Sequence, residues 1–583
     1  MGKKKRDEMP WRFLAEYKGK YFDGEWPTVP EMFEITCKRY PENMCFRAFV
    51  PKPLQFTYTE ALSTIKGVAN YLLSQGVTAG DKIAVSGKNS PEWAIAYLAV
   101  LFAGATIVPL DISLHDDELE KLMSFAGVSR LFIDADRINR VDTNGSVGLK
   151  EKICLEPNGG NYILDHQISE ELPRTKASEN DLAAILFTSG TTGTPKGVML
   201  THKNLVSDCY QAQGNMNIFS TDTFYAILPI HHAYTMLAVF IEAISVGAGI
   251  VFGKKLVISQ VLKELREGQV TMFLAVPMLF NKMIAALMEG VRKKGILVYG
   301  LIRGLMGISG FIKKVFKVNP GKKMFGFLLK NLSLENNRIC ICGGGPLPAS
   351  TFKMFNELGI DFVQGYGLTE TSPIINLNPI DAYIETSVGK IIPGVEMKIV
   401  NPDSDGNGIA YVRGSMVMQG YYNNPEATAE VLDADGWLNT GDVGHLDSNN
   451  YLYLTGRAKN VIVTEGGKNV FPEEIEDHFQ LYNEIDQICV IGYVVDAKTR
   501  SEGIRALIYP AEKYRSEVAK ENPDAVDAAK AIQARMNEII EEVNKELQAY
   551  KKISKVTVVS EPMEMTSTKK IKRFVVAQQY KDK

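Results

Sequence analysis

Residues 187 to 197 read Phe-Thr-Ser-Gly-Thr-Thr-Gly-Thr-Pro-Lys-Gly, too rich in glycine and hydroxyls for a helix interior or an ordinary strand. Gly190, Gly193 and Gly197 let the backbone turn and bring its N–H groups close to an anion. Thr188, Ser189, Thr191 and Thr192 add hydroxyls and Lys196 adds a positive charge, which together make a cradle for polyphosphate. The pattern is not that of a P-loop, which needs Ser or Thr after the lysine; here Gly197 follows it.

Four other stretches carry groups of the same kind. Gln364-Gly-Tyr-Gly-Leu-Thr-Glu370 follows a β-type run and supplies an aromatic ring, a hydroxyl and a carboxylate. Cys342-Gly-Gly-Gly-Pro-Leu-Pro348 is a second glycine turn, suited to a flat ring lying on bare backbone. Trp437-Leu-Asn-Thr-Gly-Asp442 is followed fifteen residues later by Arg457, an acid and a base able to clamp a ribose diol. Near the C-terminus, Thr566-Ser-Thr-Lys-Lys-Ile-Lys-Arg573 offers a mobile lysine.

In this order the five stretches resemble the adenylate-forming superfamily of acyl-CoA synthetases, peptide-synthetase adenylation domains and luciferases. The resemblance spans roughly Thr57 to Arg573. It implies ATP, Mg²⁺ and CoA as the small molecules handled. Thr188, Ser189, Gly190, Thr191, Thr192, Gly193 and Lys196 would wrap the β- and γ-phosphates. Tyr366 would stack on adenine opposite Gly343, Gly344, Gly345 and Pro346, with Gln364, Gly365, Gly367 and Thr369 completing the nucleotide site. Glu370 and Thr188 would hold Mg²⁺, and Asp442 with Arg457 would take the ribose. Lys570 would contact the acyl carboxylate and phosphate oxygens, making Lys570, Glu370, Lys196 and His232 the catalytic candidates. Lys459 occupies the hinge position between two reaction steps, and Gly466, Gly467 and Lys468 would face the CoA pantetheine. The chain departs from the family pattern at Lys569, where a glycine usually precedes the lysine, and at Gly408-Ile409, where the family has Gly-Glu-Ile/Leu.

The same resemblance bears on the acid. Leu228-Pro-Ile-His-His-Ala-Tyr-Thr235 lacks the aspartate with which peptide-synthetase domains bind an α-ammonium, so an amino-acid substrate is disfavoured. Phe187-Thr-Ser-Gly and Asn460-Val-Ile-Val463 look like the long-chain fatty acyl-CoA synthetase branch. The implied reaction converts a long-chain fatty acid to acyl-AMP and then to acyl-CoA. Alternatives are delivery to acyl carrier protein, a medium-chain or aryl acid, and a non-catalytic nucleotide-binding or fatty-acid-uptake scaffold.

The elements that must position these residues are also legible. At 583 residues the chain exceeds a single core. Its net charge of −3 gives no basic field for nucleic acid. Seven cysteines without metal-ligand spacing point to a reducing cytosol, and Cys340 and Cys342 are expected on opposite sides of one strand. The basic start Met1-Gly-Lys-Lys-Lys-Arg lacks the apolar core of a secretory signal. Helical and strand patterns alternate through the first two thirds, including a buried helix feeding a strand in the uncharged run Ala94 to Leu110. The expected fold is α/β: a large N-terminal domain of stacked α/β sheets over 1–456, with an antiparallel β-subdomain at about 395–456, and a small mobile α+β domain over 457–583. Within it, 290–334 holds ten Lys or Arg and no acid between apolar clusters. That segment reads either as a foot on the inner, anionic face of a membrane or as a helical hairpin packed on the main domain.

Overall fold

The computed structural model describes residues 9–141, 148–170, 176–188, 195–464, 468–496, 501–566 and 570–580. Two large sheets dominate it. The first has seven strands, in the spatial order Gly420–Tyr421, Lys196–Thr201, Leu182–Thr188, Thr106–Pro109, Lys82–Ser86, Val128–Ile133 and Glu151–Cys154. From Leu182–Thr188 to Glu151–Cys154 its strands run parallel. The second has thirteen strands, and a parallel block from Asp361–Gly367 through Ile339–Cys342, Met272–Ala275, Thr223–Ala226 and Gly249–Phe252 to Met44–Ala48 forms its middle.

The helix Pro91–Phe102 touches strands of both sheets, and every one of its residues is buried. Its sequence explains this: a helix apolar on all sides has no face to give to water. Ser90 caps it, accepting from the Trp93 N–H, and Pro91 starts it where no donor is needed. Twelve residues are marginal as an isolated helix, so packing holds it, at roughly 1.5–3 kcal/mol for each large apolar side chain buried. It feeds the strand Thr106–Pro109, so the uncharged run lies inside the fold.

Two expectations need correction. The antiparallel region begins well before residue 395. Asp361–Gly367 pairs parallel with Ile339–Cys342 on one edge and antiparallel with Ile374–Leu377 on the other. Through Gly389–Ile391 the ladder continues to Tyr451–Arg457, Leu438–Leu446, Gly408–Arg413 and Glu396–Val400. The β-subdomain is therefore an extension of the second sheet, because a single strand serves both blocks. Cys340 and Cys342 bury into the same core cluster, as the two-residue period of a strand requires.

After Arg457 the chain builds a smaller unit. Its sheet comprises Ile485–Asp496, Ser501–Pro510 and Lys555–Val558. Across it packs the helix Ala525–Glu546 through Met536, Ile539, Ile540 and Val543, with Ile532 and Leu547 at the margin. Arg573 makes two 2.8 Å hydrogen bonds to Glu476 and so ties down the last helix, Arg573–Tyr580.

One glycine fixes the course of the chain into the site. A Cβ on Gly367 would lie 1.5 Å from the Pro373 carbonyl oxygen, an overlap that only a backbone shift relieves. Gly367→Ala is expected to cost at least about 2 kcal/mol in denaturant unfolding and to weaken ATP binding by displacing Leu368–Thr371. Wild-type stability together with wild-type ATP affinity would contradict this account.

Candidate active site

The carboxyl ends of the parallel strands open on one cavity of about 610 Å³, as open α/β sheets generally arrange their ligand sites. Thr188 and Lys196 face each other as cross-strand partners at the end of a hairpin and both line this cavity. Ser189, Gly190, Thr191, Thr192 and Gly193 lie between them, outside the described residues. Glu370 sits in the turn Thr369–Thr371 that follows Asp361–Gly367, and it too lines the cavity. Tyr421 joins the two groups: its hydroxyl donates to Glu370 Oε1 at 2.8 Å, and Lys196 Nζ lies 4.8 Å from its ring centroid.

Asp442 and Arg457 are cross-strand neighbours joined by a 2.8 Å contact between Oδ1 and Nε. The Tyr366 hydroxyl donates to the other carboxylate oxygen, and the Thr440 hydroxyl accepts from the Asp442 N–H at 3.1 Å. Burial pushes the Asp442 carboxyl up, while Arg457, Tyr366 and Lys570 pull it back. Gly343 and Gly344 line the cavity beside Tyr234, whose ring a Cβ on Gly343 would meet at 2.9 Å. Gly365, Tyr366, Gly367 and Thr369 line it as well. Gln364 is buried in its strand and Pro346 turns its carbonyl to Gln480, and neither they nor Gly345 line the cavity.

Lys459 and Lys570 reach the cavity from the chain beyond Arg457. Lys570 is held by a local pair of bonds: its N–H donates to Thr566 Oγ1 at 3.1 Å, and its carbonyl accepts from the Thr566 N–H at 2.8 Å. Desolvation and the Arg457 charge lower the Lys570 pKa, against the pull of Asp442. Lys459 is lowered by desolvation and then by Arg457 and Lys196. His232 lines the same space. Desolvation, His231 and Lys570 bring its pKa down to about 3, so its imidazole is neutral at physiological pH and supplies no positive charge to a phosphate. Lys468 lies outside the cavity lining, its carbonyl accepting from the Thr464 N–H, and Gly466 and Gly467 fall outside the described residues.

A model of the AMP-binding enzyme family matches residues 33–422, and one of the AMP-binding enzyme C-terminal domain matches residues 459–583. The chain belongs to the AMP-binding enzyme family. Among curated relatives of this AMP-binding enzyme, the chloroplastic long-chain-fatty-acid–acyl-carrier-protein ligase of Arabidopsis thaliana is 26% identical over 96% of this chain and 86% of its own. The long-chain-fatty-acid–CoA ligase FadD15 of Mycobacterium bovis is 28% identical over 90% of each chain. The crystal structure of the anthranilate CoA ligase AuaEII with anthranoyl-AMP shares the fold, with a TM-score of 0.75 at 19% identity over 96% of this chain and 98% of that one.

Sequence reasoning missed three residues of this AMP-binding enzyme's cavity. Tyr421 is an aromatic in Gly420-Tyr-Tyr-Asn423 without a motif around it, and Tyr234 carries no signal of its own beside His232. Glu242 stands in an apolar stretch where only the fold shows that it meets the cavity. The ion pair at the site is open to test. Arg457→Met leaves Asp442 buried without its cation. The expected loss is about 2 kcal/mol at neutral pH, less than for a fully buried pair because Arg457 is partly exposed. Without Arg457, folded Asp442 binds its proton more readily, so the loss shrinks as pH falls through its raised pKa. Urea unfolding of both proteins from pH 7 to pH 4 measures this; a pH-independent difference would exclude the pair as its source.

Proposed function

We propose that the protein is an acid-activating, AMP-forming ligase that joins a long-chain fatty acid to AMP and then to CoA. The observation that carries the reading is one continuous cavity with two characters. Its lining combines Lys196, Glu370, Arg457, Lys459 and Lys570 with Met216, Ile218, Phe224, Leu274 and Leu377. A phosphate anhydride and an aliphatic tail suit that pairing.

In the first step a carboxylate oxygen attacks the α-phosphorus of ATP, forming the acyl–phosphate bond as the bond to pyrophosphate breaks. The side chains act by position and charge. Lys570 meets the negative charge shared by carboxylate and α-phosphate, and its depressed pKa reflects how little water competes there. Lys196 neutralises the departing pyrophosphate. Tyr421 holds one Glu370 oxygen and orients the other. The Glu370 carboxylate and the Thr188 hydroxyl, hard oxygen donors that both line the cavity, would suit Mg²⁺, which when bound would screen phosphate charge. Asp442 accepts from the ribose hydroxyls. In the second step the CoA thiolate attacks the acyl carbon and AMP leaves. That attack needs Lys570 withdrawn, a rigid-body movement of the smaller domain about Lys459.

The segment 290–334 supports a membrane-surface location reached from the cytoplasm. The helix Ile296–Phe316 has 21 residues, long and apolar enough to cross a bilayer. It packs through Ile302, Met306, Ser309 and Lys313, and Lys313 pairs with Asp361 at 2.8 Å, which anchors one face to the protein. The opposite face leaves Leu297 at 86% and Phe311 at 63% exposed. The packed-hairpin reading accounts for the anchored face, and a membrane surface would cover the other. An interfacial helix lying flat satisfies both faces, whereas a span would strip the Lys313 bond. Part of the basic charge is locally matched, as at Lys314 with Glu385, so apolar insertion contributes more than the count of lysines suggests.

Two experiments test the reading. A scan of acids from C8 to C18 should give CoA thioester with a maximum among the long chains; turnover only with acyl carrier protein would overturn the acceptor. Lys570→Ala should lower adenylation about a hundredfold or more while leaving thiolysis of supplied acyl-AMP near wild type. Equal loss of both half-reactions would refute the role given to Lys570. For the membrane surface, Leu297→Ser with Phe311→Ser should lower sedimentation with phosphatidylglycerol vesicles about tenfold, and unchanged sedimentation would reduce 290–334 to a packed hairpin.

A further inference from the structure

Glu242 is out of place. It lines the cavity on the side of Ala212, Met216 and Ala238, and the residue is only 3% exposed. Neither carboxyl oxygen has a partner of good hydrogen-bond geometry; the nearest donors, the Cys209 thiol and the Gln213 amide, favour its charged form without outweighing burial. Gln213 Nε2 also donates to Ser245 Oγ at 3.0 Å, and that hydroxyl donates to the Glu242 backbone carbonyl at 2.8 Å. A second acid, Asp208, lies close enough to interact with it and is fully buried. Its Oδ2 accepts from the Ile374 N–H, and its Oδ1 has no partner.

A carboxyl so poorly matched is costly in an apolar interior, and a fold tolerates one that lines a cavity where a ligand completes its bonding. Glu242 follows Met236–Ile241, and its helix packs against His202–Ala212, so the carboxyl meets the cavity among the apolar residues Ala212, Met216 and Ala238. On the ligase reading, this apolar part of the lining takes the acyl tail and not the reacting carboxylate. With its pKa pushed up to about 8 by burial, the Glu242 carboxyl is mainly a neutral acid near pH 7 and both donates and accepts.

We propose that Glu242 recognises a hydrogen-bonding group, a hydroxyl or an amine, on the distal part of the acyl chain. The preferred substrate is then a tail-functionalised aliphatic acid rather than a plain one. This rests on the ligase reading above and narrows its substrate class. An unadorned methyl end placed there would leave the carboxyl unpaired, and sites built to hydrogen-bond a substrate group discriminate strongly against analogues lacking it.

The test compares plain, ω-hydroxy and ω-amino acids from C8 to C16 in the wild-type enzyme, Glu242→Gln and Glu242→Leu. It reads kcat/KM for thioester formation and, separately, the thermal shift each acid produces. At one chain length the wild type should favour a donor-tipped acid over its plain counterpart at least about tenfold. Glu242→Leu should abolish or reverse that ratio, and Glu242→Gln should keep the hydroxyl preference while losing the amine preference. A ratio near one in the wild type at every length, or an unchanged ratio in Glu242→Leu, would overturn the inference. Turnover of plain acids by all three proteins separates that outcome from failure of the ligase reading. If no acid is turned over, the thermal shifts still decide.

Folding is checked in the same variants. Glu242 is more readily protonated folded than unfolded, so its contribution to stability is full below pH 4.5 and is lost as pH rises through about 8. Asp208, the Cys209 thiol and the Tyr210 hydroxyl, whose pKa values burial also raises, are the titratable neighbours on the facing helix and remain in every variant. Glu242→Leu should therefore melt above wild type at pH 8, with the gap narrowing toward pH 5. A lower melting temperature throughout would make Glu242 a structural acid and sink the proposal.

Discussion

Asp442 can remain a buried anion only while Arg457 and Tyr366 hold it, and much of the active-site geometry follows from that requirement. The three residues come from three strands of one sheet: Tyr366 from Asp361–Gly367, Asp442 from Leu438–Leu446 and Arg457 from Tyr451–Arg457. Their contact fixes the antiparallel extension against the parallel block at the level of the cavity. Arg457 is also the last residue before the turn Ala458–Asn460, so the charge that stabilises Asp442 marks where the smaller domain departs. The Asp442 carboxylate and the Arg457 guanidinium also act oppositely on Lys570, which couples this ion pair to that lysine.

The second determinant is the fully buried helix Pro91–Phe102. Touching strands of both sheets, it ties the sheet whose hairpin bears Thr188 and Lys196 to the sheet that carries Tyr366 and leads into the Glu370 turn. The polar half of the cavity is thus assembled from rigid elements. The apolar half is walled partly by the π-helical stretch Met236–Ile241, where each turn holds an extra residue. Glu242 follows that stretch directly.

Much of this was legible in the sequence because glycine, hydroxyl and charge coincide at short range. The runs around Lys196 and Glu370, the Asp442–Arg457 spacing and the lysine near the C-terminus each name a local chemistry. Periodicity likewise gave the α/β layers, and composition gave the buried helix. Long-range placement was not legible. That one strand serves both the parallel and the antiparallel block depends on which edges meet. Tyr421 joins Lys196 to Glu370 only because Gly420–Tyr421 pairs beside the hairpin. Glu242 sits in an ordinary apolar helix, and nothing local distinguishes a helix residue facing a cavity from one facing the core. In 290–334 charge and hydrophobicity were visible, but which face was anchored awaited the Lys313 and Asp361 contact.

The central claim is that one cavity brings ATP and an aliphatic carboxylate together at the α-phosphorus. Isotope exchange between pyrophosphate and ATP, measured with Mg²⁺ and without CoA, isolates that step. Exchange should depend on added aliphatic acid and be absent without it. Exchange without acid, or no exchange with any acid from C8 to C18, plain or tail-functionalised, would contradict it.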